Sequence, residues 1–434
     1  MKRLKVLMLG SHDSKLAGQI QCEYMNMPDN VDAHMVTLRG LYGKAPHCFL
    51  PADGKGLTFG EKLKLFRFSG YYLKLWRIFY FLIKKRLCPI INKHHREYCF
   101  YGLEFVPYTA KDILEKCPKG FAPDLITIHW ASKFITSKIV RELYEMTHAS
   151  IAYLFVDEAP MTGGCHYPVD CMNYLNGCHD CPALLHGKRL AVIQVKYKEE
   201  NLKEIPMYIC GSPYDMRLAK KTNLFKNAIA IHSISHPQVT ITNKAIARRK
   251  LGLNNDSFVV MIGASQLNDA RKGINYSIEA INLAAQQISN LIVLVVGNGE
   301  NSVLPERLKD VKVYELGFVD LDKLFLAFSA ACCFLSTTIA DSGPMMVNYS
   351  IAIGTPVISF PIGIAEDLVI HKKTGYLAKY KNVNDLKEGM LFLSTMGMEA
   401  QKQMSENCRQ HIKEKATDWR EELIKTCMLN KLEN

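Results

Sequence analysis

Seven short, nearly unbroken apolar runs constrain the fold of this chain more than any other feature. KVLMLG (5–10), DLITIHW (124–130) and SIAYLFV (150–156) lie in the first half, and FVVMIGAS (258–265), LIVLVVGNG (291–299), CCFLSTT (332–338) and PVISF (356–360) in the second. A strand covered on one face alternates polar and apolar residues. An unbroken Val/Ile/Leu run suits a strand covered on both faces, as in a parallel sheet wrapped by helices. Each run ends near small or polar residues, and helical patterns separate the runs. Two such series predict an α/β protein with two doubly wound, Rossmann-like parallel-sheet domains. The length of 434 residues also calls for two domains. The junction is expected near Ile234–Gln238 (ISHPQ), where a proline precedes a helix around Asn243–Leu251. The expected division is 1–237 and 238–410, with 411–434 a helix crossing back onto the first domain.

Residues Asp341–Phe360 (DSGPMMVNYSIAIGTPVISF) carry the clearest chemistry. They read as a helix of about three turns followed by a buried strand. Ser342 or Gly343 is expected to cap the helix, Pro344 to take its first position, Gly354 to end it and Pro356 to block its continuation. A helix start with free N–H groups favours phosphate. Asp341, just ahead of it, is itself an anion and repels phosphate. An acid beside an anion hole makes sense if it accepts hydrogen bonds from hydroxyls attached to that phosphate, which describes a nucleotide-sugar site.

Composition narrows the class. The chain is 48% hydrophobic and 22% charged, as a globular protein is. No apolar run reaches the roughly 20 residues needed to span a bilayer. The start, MKRLKVLMLGSHDSK, lacks the long apolar region and small-residue cleavage site of a signal peptide and reads as a first strand, so a cytoplasmic location is expected. The net charge of +12 calls for an anionic partner: nucleic acid, anionic lipid or a phosphorylated substrate.

In residues 61–96, Lys62, Lys64, Arg67, Lys74, Arg77, Lys84, Lys85 and Arg86 interleave with Phe66, Phe68, Tyr71, Tyr72, Trp76, Phe79, Tyr80 and Phe81. That mixture suits a bilayer interface, and so predicts peripheral binding to the anionic inner face of the cell membrane. The plainer reading is one or two core helices with a solvated basic face. No nucleic-acid signature accompanies the stretch, so nucleic acid is not expected as a partner.

Most of the 14 cysteines stand alone (Cys22, Cys48, Cys88, Cys210, Cys427), as reduced thiols do. Residues 162–182, TGGCHYPVDCMNYLNGCHDCP, instead gather Cys165, Cys171, Cys178 and Cys181 beside His166 and His179. Four thiolates in one loop can close a tetrahedral zinc site of structural type. An iron–sulfur cluster, a redox pair or unliganded buried thiols are the other readings.

The second half, read in order, strengthens the donor-site reading. FVVMIGAS, Arg271-Lys272-Gly273, LIVLVVGNG, VKVYELGFV, CCFLSTT, DSGPMM, GTPVISF and EDLVIHKKTGYLA together resemble the donor domain of the retaining family 4 glycosyltransferases, which have the GT-B fold. The resemblance covers roughly 258–379 and implies two such domains facing a cleft. It implies that Asp341, as the first acid of the family's paired-acid motif, contacts donor-sugar hydroxyls. It places the diphosphate at the Met345 and Met346 amides and makes Lys272, aided by Arg271, its neutralising cation, with no catalytic metal. Ser342, Gly343, Asn348, Tyr349 and the strand-end Gly263 complete the implied donor contacts. The chain departs from the family at Tyr349, where the second acid belongs, and after Gly263, where an arginine is missing. Its cysteine loop resembles the TGGCHY loop of bacterial family 4 enzymes that assemble surface polysaccharides. There a His-Asp pair precedes the loop; this chain has Val156 and Asp157, so Asp157, Glu158 or His129 is left as the candidate near the reacting centre.

The resemblance thus implies a retaining glycosyltransferase that moves a sugar from a nucleoside diphosphate sugar to a saccharide or lipid-linked saccharide. Two other classes fit the departures: a catalytically impaired nucleotide-sugar or saccharide-binding partner, and a soluble GT-B enzyme acting on a small sugar phosphate.

Overall fold

A computed structural model of the chain describes residues 3–12, 28–40, 47–51, 95–106, 109–130, 132–298, 304–308 and 311–432. The basic aromatic stretch expected at a membrane lies outside the described residues, except for its last two positions. Among the described residues, no helix is long and apolar enough to cross a membrane.

The chain divides into two compact units. The first comprises 1–211, 216–231 and 419–434, and the second 212–215 and 232–418. The sequence had suggested breaks at 237 and 410. The terminal segment forms two helices, Met398–Lys415 in the second unit and Trp419–Leu432 in the first.

The first unit is built on β1 (Leu4–His12), β2 (Val31–Gly40), β3 (His47–Pro51), β4 (Leu125–Ile128), β5 (Ser150–Leu154), β6 (Met207–Gly211) and β7 (Ile229–His232). Their order across the sheet is β3-β2-β1-β4-β5-β6-β7. Both faces are buried, as the unbroken apolar runs require. Leu7 and Leu9 of β1 face one core, with Ile126, Ile151 and Ile209. Leu4, Val6 and Met8 face the other, with Ala152 and Leu154. The helix Trp419–Leu432 completes that second core through Trp419, Leu423, Ile424 and Cys427.

The second unit carries β8 (Phe258–Gln266), β9 (Leu291–Asn298), β10 (Lys312–Glu315), β11 (Cys333–Ser336), β12 (Val357–Ser359) and β13 (Gly375–Leu377), in the order β10-β9-β8-β11-β12-β13. Among the described residues, the ladders of this sheet are all parallel. Here too successive residues of β8 alternate between two cores: Val259 and Met261 on one side, Phe258, Val260 and Ile262 on the other. The sheet reverses its strand order between β8 and β11. In open parallel sheets, ligands bind beyond the carboxyl ends of the strands at such a switch point.

Candidate functional site

The loops leaving β8 and β11 hold the residues singled out from the sequence. After β8, Asp269 caps a single turn, Ala270–Lys272, by accepting the Arg271 N–H. Gly273 follows in the left-handed region, φ 62°, where a Cβ would run into the Thr337 carbonyl oxygen. Both needs point to glycine. After β11, Thr337 ties the loops together: its hydroxyl donates to the carbonyls of Gly273 at 2.9 Å and Lys272 at 3.2 Å. The Ile339 N–H adds a bond to the Arg271 carbonyl at 2.8 Å.

This bracing brings two residues 69 positions apart into an ion pair: Lys272 Nζ donates to Asp341 Oδ2. The side chains are 19% and 16% exposed, so little water screens the pair. Asp341 Oδ1 accepts the Gly343 N–H at 3.1 Å. Arg271 instead turns to Asp269, at 2.5 Å. Asp269 was not foreseen, although an acid two residues before an arginine is a visible cue for this local bond.

The helix beyond Asp341 runs Met345–Ile353. Pro344 is its N-cap and makes no side-chain cap bond, which corrects the expectation of Ser342 or Gly343 as cap and Pro344 inside the helix. With ψ at 103°, Pro344 is still extended, and the Val347 N–H closes back on its carbonyl at 2.8 Å. Ser342 is buried, and its hydroxyl has no hydrogen-bond partner among the described residues. Met345 is exposed and Met346 half-buried. Gly354 ends the helix as expected, φ 95°, its N–H bonding the carbonyls of Ser350 and Ile351. Gly263 packs under the helix start: a Cβ there would lie 2.7 Å from the Val296 carbonyl oxygen and 3.2 Å from Met346 Cε.

Asn348 and Tyr349, expected among the donor contacts, are engaged by other partners. Asn348 is buried and donates its amide to the Ser235 carbonyl at 2.8 Å. Tyr349 packs on Phe325, ring centroids 5.4 Å apart, and burial raises its pKa. The helix Met345–Ile353 and the strand after it are thus in place without a carboxylate at position 349. Gly363, with φ 56°, lets the chain pass close to the Asp341 and Ser342 carbonyls, a contact the sequence did not reveal.

In the first unit, Asp157 is buried and bonded to His166, Oδ2 to Nδ1, at 2.7 Å. His166 Nε2 meets Ser132 Oγ at 2.8 Å. Asp157, Ser132, Trp130, Val156, Glu104 and Lys198 line one cavity of that unit. Lys198 was missed from the sequence. Its ammonium donates to the carbonyls of Ala159 and Thr162, each at 2.8 Å, and Glu104 lies 3.8 Å away. Burial lowers its pKa, with Glu104 opposing. His129 is buried between Thr127, at 3.1 Å, and the edge of Trp419.

Cys165, Cys171, Cys178 and Cys181 all line a second, smaller cavity and form no disulfide among the described residues. Gly163 N–H donates to Cys178 Sγ at 3.2 Å. Cys181 is drawn down to about 6, mainly by its bond with Cys165 and then by the Ala183 and Leu184 amides, against burial. Burial pushes Cys178 up to about 11. Four sulfur donors around one cavity suit a soft metal, yet among the described residues no three His, Cys, Asp or Glu side chains are grouped to hold one as they stand.

Residues 243–411 match the Glycosyl transferases group 1 family. No curated protein sequence is similar enough to count as a relative. Sucrose-phosphate synthase from Thermosynechococcus elongatus is similar in structure at 14% identity, over 99% of both chains, with a TM-score of 0.61. Alr3699/HepE from Anabaena, solved with UDP and glucose, is similar at 14% identity over 98% of this chain and 99% of that one, TM-score 0.56. Against S. aureus TarM, at 14% identity and a TM-score of 0.48 over 70% of this chain, the chain spans about half of the other protein's length, 54%. The whole-length likenesses agree with the switch-point arrangement described above: this is a GT-B fold, whose residues 243–411 match the glycosyl transferases group 1 family.

Proposed function

We propose that the chain is a retaining glycosyltransferase that moves a hexosyl group from a nucleoside diphosphate sugar to a saccharide or lipid-linked saccharide in the assembly of a surface polysaccharide. The observation that carries the donor half is the meeting of Lys272, Asp341 and the start of the helix Met345–Ile353 at the switch point of one sheet. Amides at the helix start, with Lys272, suit a pyrophosphate; Asp341 suits the sugar hydroxyls. As the glycosidic bond breaks, charge grows on the departing diphosphate, and a fixed cation stabilises that charge more than it stabilises the ground state. No protein base is needed if the leaving phosphate takes the acceptor proton, so Val156 in place of the family's histidine is compatible with turnover.

The solved relative with UDP and glucose supports uridine and glucose as first choices for base and sugar. The acceptor reading rests on the TGGCHY-type loop. A panel of nucleoside diphosphate sugars tests the donor half by thermal unfolding. A matching donor at about a hundred times its Kd stabilises by about 2.7 kcal/mol, which raises Tm by about 5 °C or more. A flat response across uridine, guanosine and adenosine donors counts against it. A second reading, a donor-binding partner without transfer, is favoured by the lack of a carboxylate at Tyr349. Donor binding with no release of nucleoside diphosphate to any acceptor would establish it.

Four thiols around one cavity support a structural zinc in the first unit, which Cys165, Cys171, Cys178 and Cys181 would hold. Elemental analysis after reduced, chelator-free purification is expected to find about one zinc per chain. Clearly substoichiometric metal overturns this.

A further inference from the structure

We infer that Lys272 and Asp341 are each other's ligands until a donor arrives, and that this makes Asp341 a specificity residue: it sets the preference for a sugar nucleotide over the bare nucleoside diphosphate. The inference rests on the donor reading above. Among the described residues, two cations and two carboxylates pair at the site, Lys272 with Asp341 and Arg271 with Asp269. The loop backbones are tied by the Thr337 and Ile339 bonds, so the exchange falls to side chains. The two pairs are not alike. Asp269 holds Arg271 twice, by its backbone N–H at 3.1 Å and its guanidinium at 2.5 Å, within one short turn. Lys272 reaches Asp341 across two loops through a single ammonium on a flexible stem. Arg271 is therefore the stationary cation and Lys272 the one that exchanges.

A pyrophosphate at the helix start draws Lys272 away. Asp341 keeps the Gly343 amide on Oδ1, but Oδ2 loses its partner. A half-buried carboxylate stripped of its cation is unfavourable unless new donors reach it. The hydroxyls of an attached sugar are such donors; a bare nucleoside diphosphate has none at that place. The same argument favours product release. Once the sugar has moved on, Lys272 returns to Asp341 and loosens the diphosphate.

Asp341→Asn tests this, since the amide keeps the size and can still accept from Gly343 while the charge is gone. Calorimetric titration of the full chain would use UDP, GDP, UDP-glucose and GDP-mannose. The variant is expected to bind the recognised nucleoside diphosphate about fivefold more tightly than wild type. It is expected to bind the matching sugar nucleotide more weakly, so the preference between the two shrinks or inverts. Unchanged or weaker nucleoside diphosphate binding by Asp341→Asn, with cooperative unfolding intact, overturns the inference and leaves the donor reading standing. If wild type binds none of the four compounds, the donor reading falls and takes this inference with it.

Discussion

Lys272→Ala lowers the rate of nucleoside diphosphate release from the matching sugar nucleotide by about two to three orders of magnitude. That is the usual effect of deleting one fixed charge aimed at a developing anion in a sheltered site. Here the loss is compounded. The ammonium lies on Asp341, and removing it leaves a 16%-exposed carboxylate facing the place where the diphosphate would bind. The variant therefore swaps an attraction for a repulsion. The defect should fall on both donor KM and kcat, because the diphosphate is already anionic in the bound donor and its charge grows further in the transition state. Lys272→Arg should recover only part of the rate. A guanidinium keeps the charge but replaces a compact, flexible point charge with a rigid plane. Steady-state release of nucleoside diphosphate, read with intact thermal unfolding as a control for folding, checks the prediction. A rate within threefold of wild type would remove Lys272 from the chemistry.

Trp419→Ala destabilises the first unit by about 3–5 kcal/mol, the range for emptying an aromatic site in a core. Trp419 is 7% exposed. It packs with Leu423, Ile424 and Cys427 in the core that also holds Val6, Met8 and Leu154, and meets His129 edge-on at 6.3 Å. Its helix belongs to a unit whose other residues lie nearly two hundred positions earlier. Calorimetry should show the transition of the first unit fall by about 10 °C. Nucleotide-sugar protection of the second unit should remain. A shift below about 2 °C would mean that the helix contributes little to the unit to which it belongs.

The fold class was legible because it rests on a local signal. A run such as LIVLVVGN announces a strand buried on both faces, and it forms β9 with alternate residues in two cores. The end of the helix Met345–Ile353 was legible for the same reason: Gly354 in the left-handed region is a property of one residue. Its start was less so. Pro344 satisfies either the cap or the first helical position with the same φ, and only ψ, set by the loop behind it, separates the two. Asn348 and Tyr349 mark the limit of reading by position. Their places in the motif were plain, but Ser235 and Phe325, more than a hundred residues and 24 residues away, decide where their side chains go. The same holds for His166, whose bond to Asp157 appears only once the cysteine loop folds back.

By itself the sequence determined the parallel, doubly wound class and the identity of the chemically able residues, because apolar periodicity and turn chemistry act over a few neighbouring positions. Only the tertiary structure decided that β8 and β11 lie side by side, that Lys272 rests on Asp341 while Arg271 rests on Asp269, and that Tyr349 packs into a core. Strand order and the choice among competing charged partners depend on distances between segments far apart in the chain, and those distances exist only after the sheets have assembled.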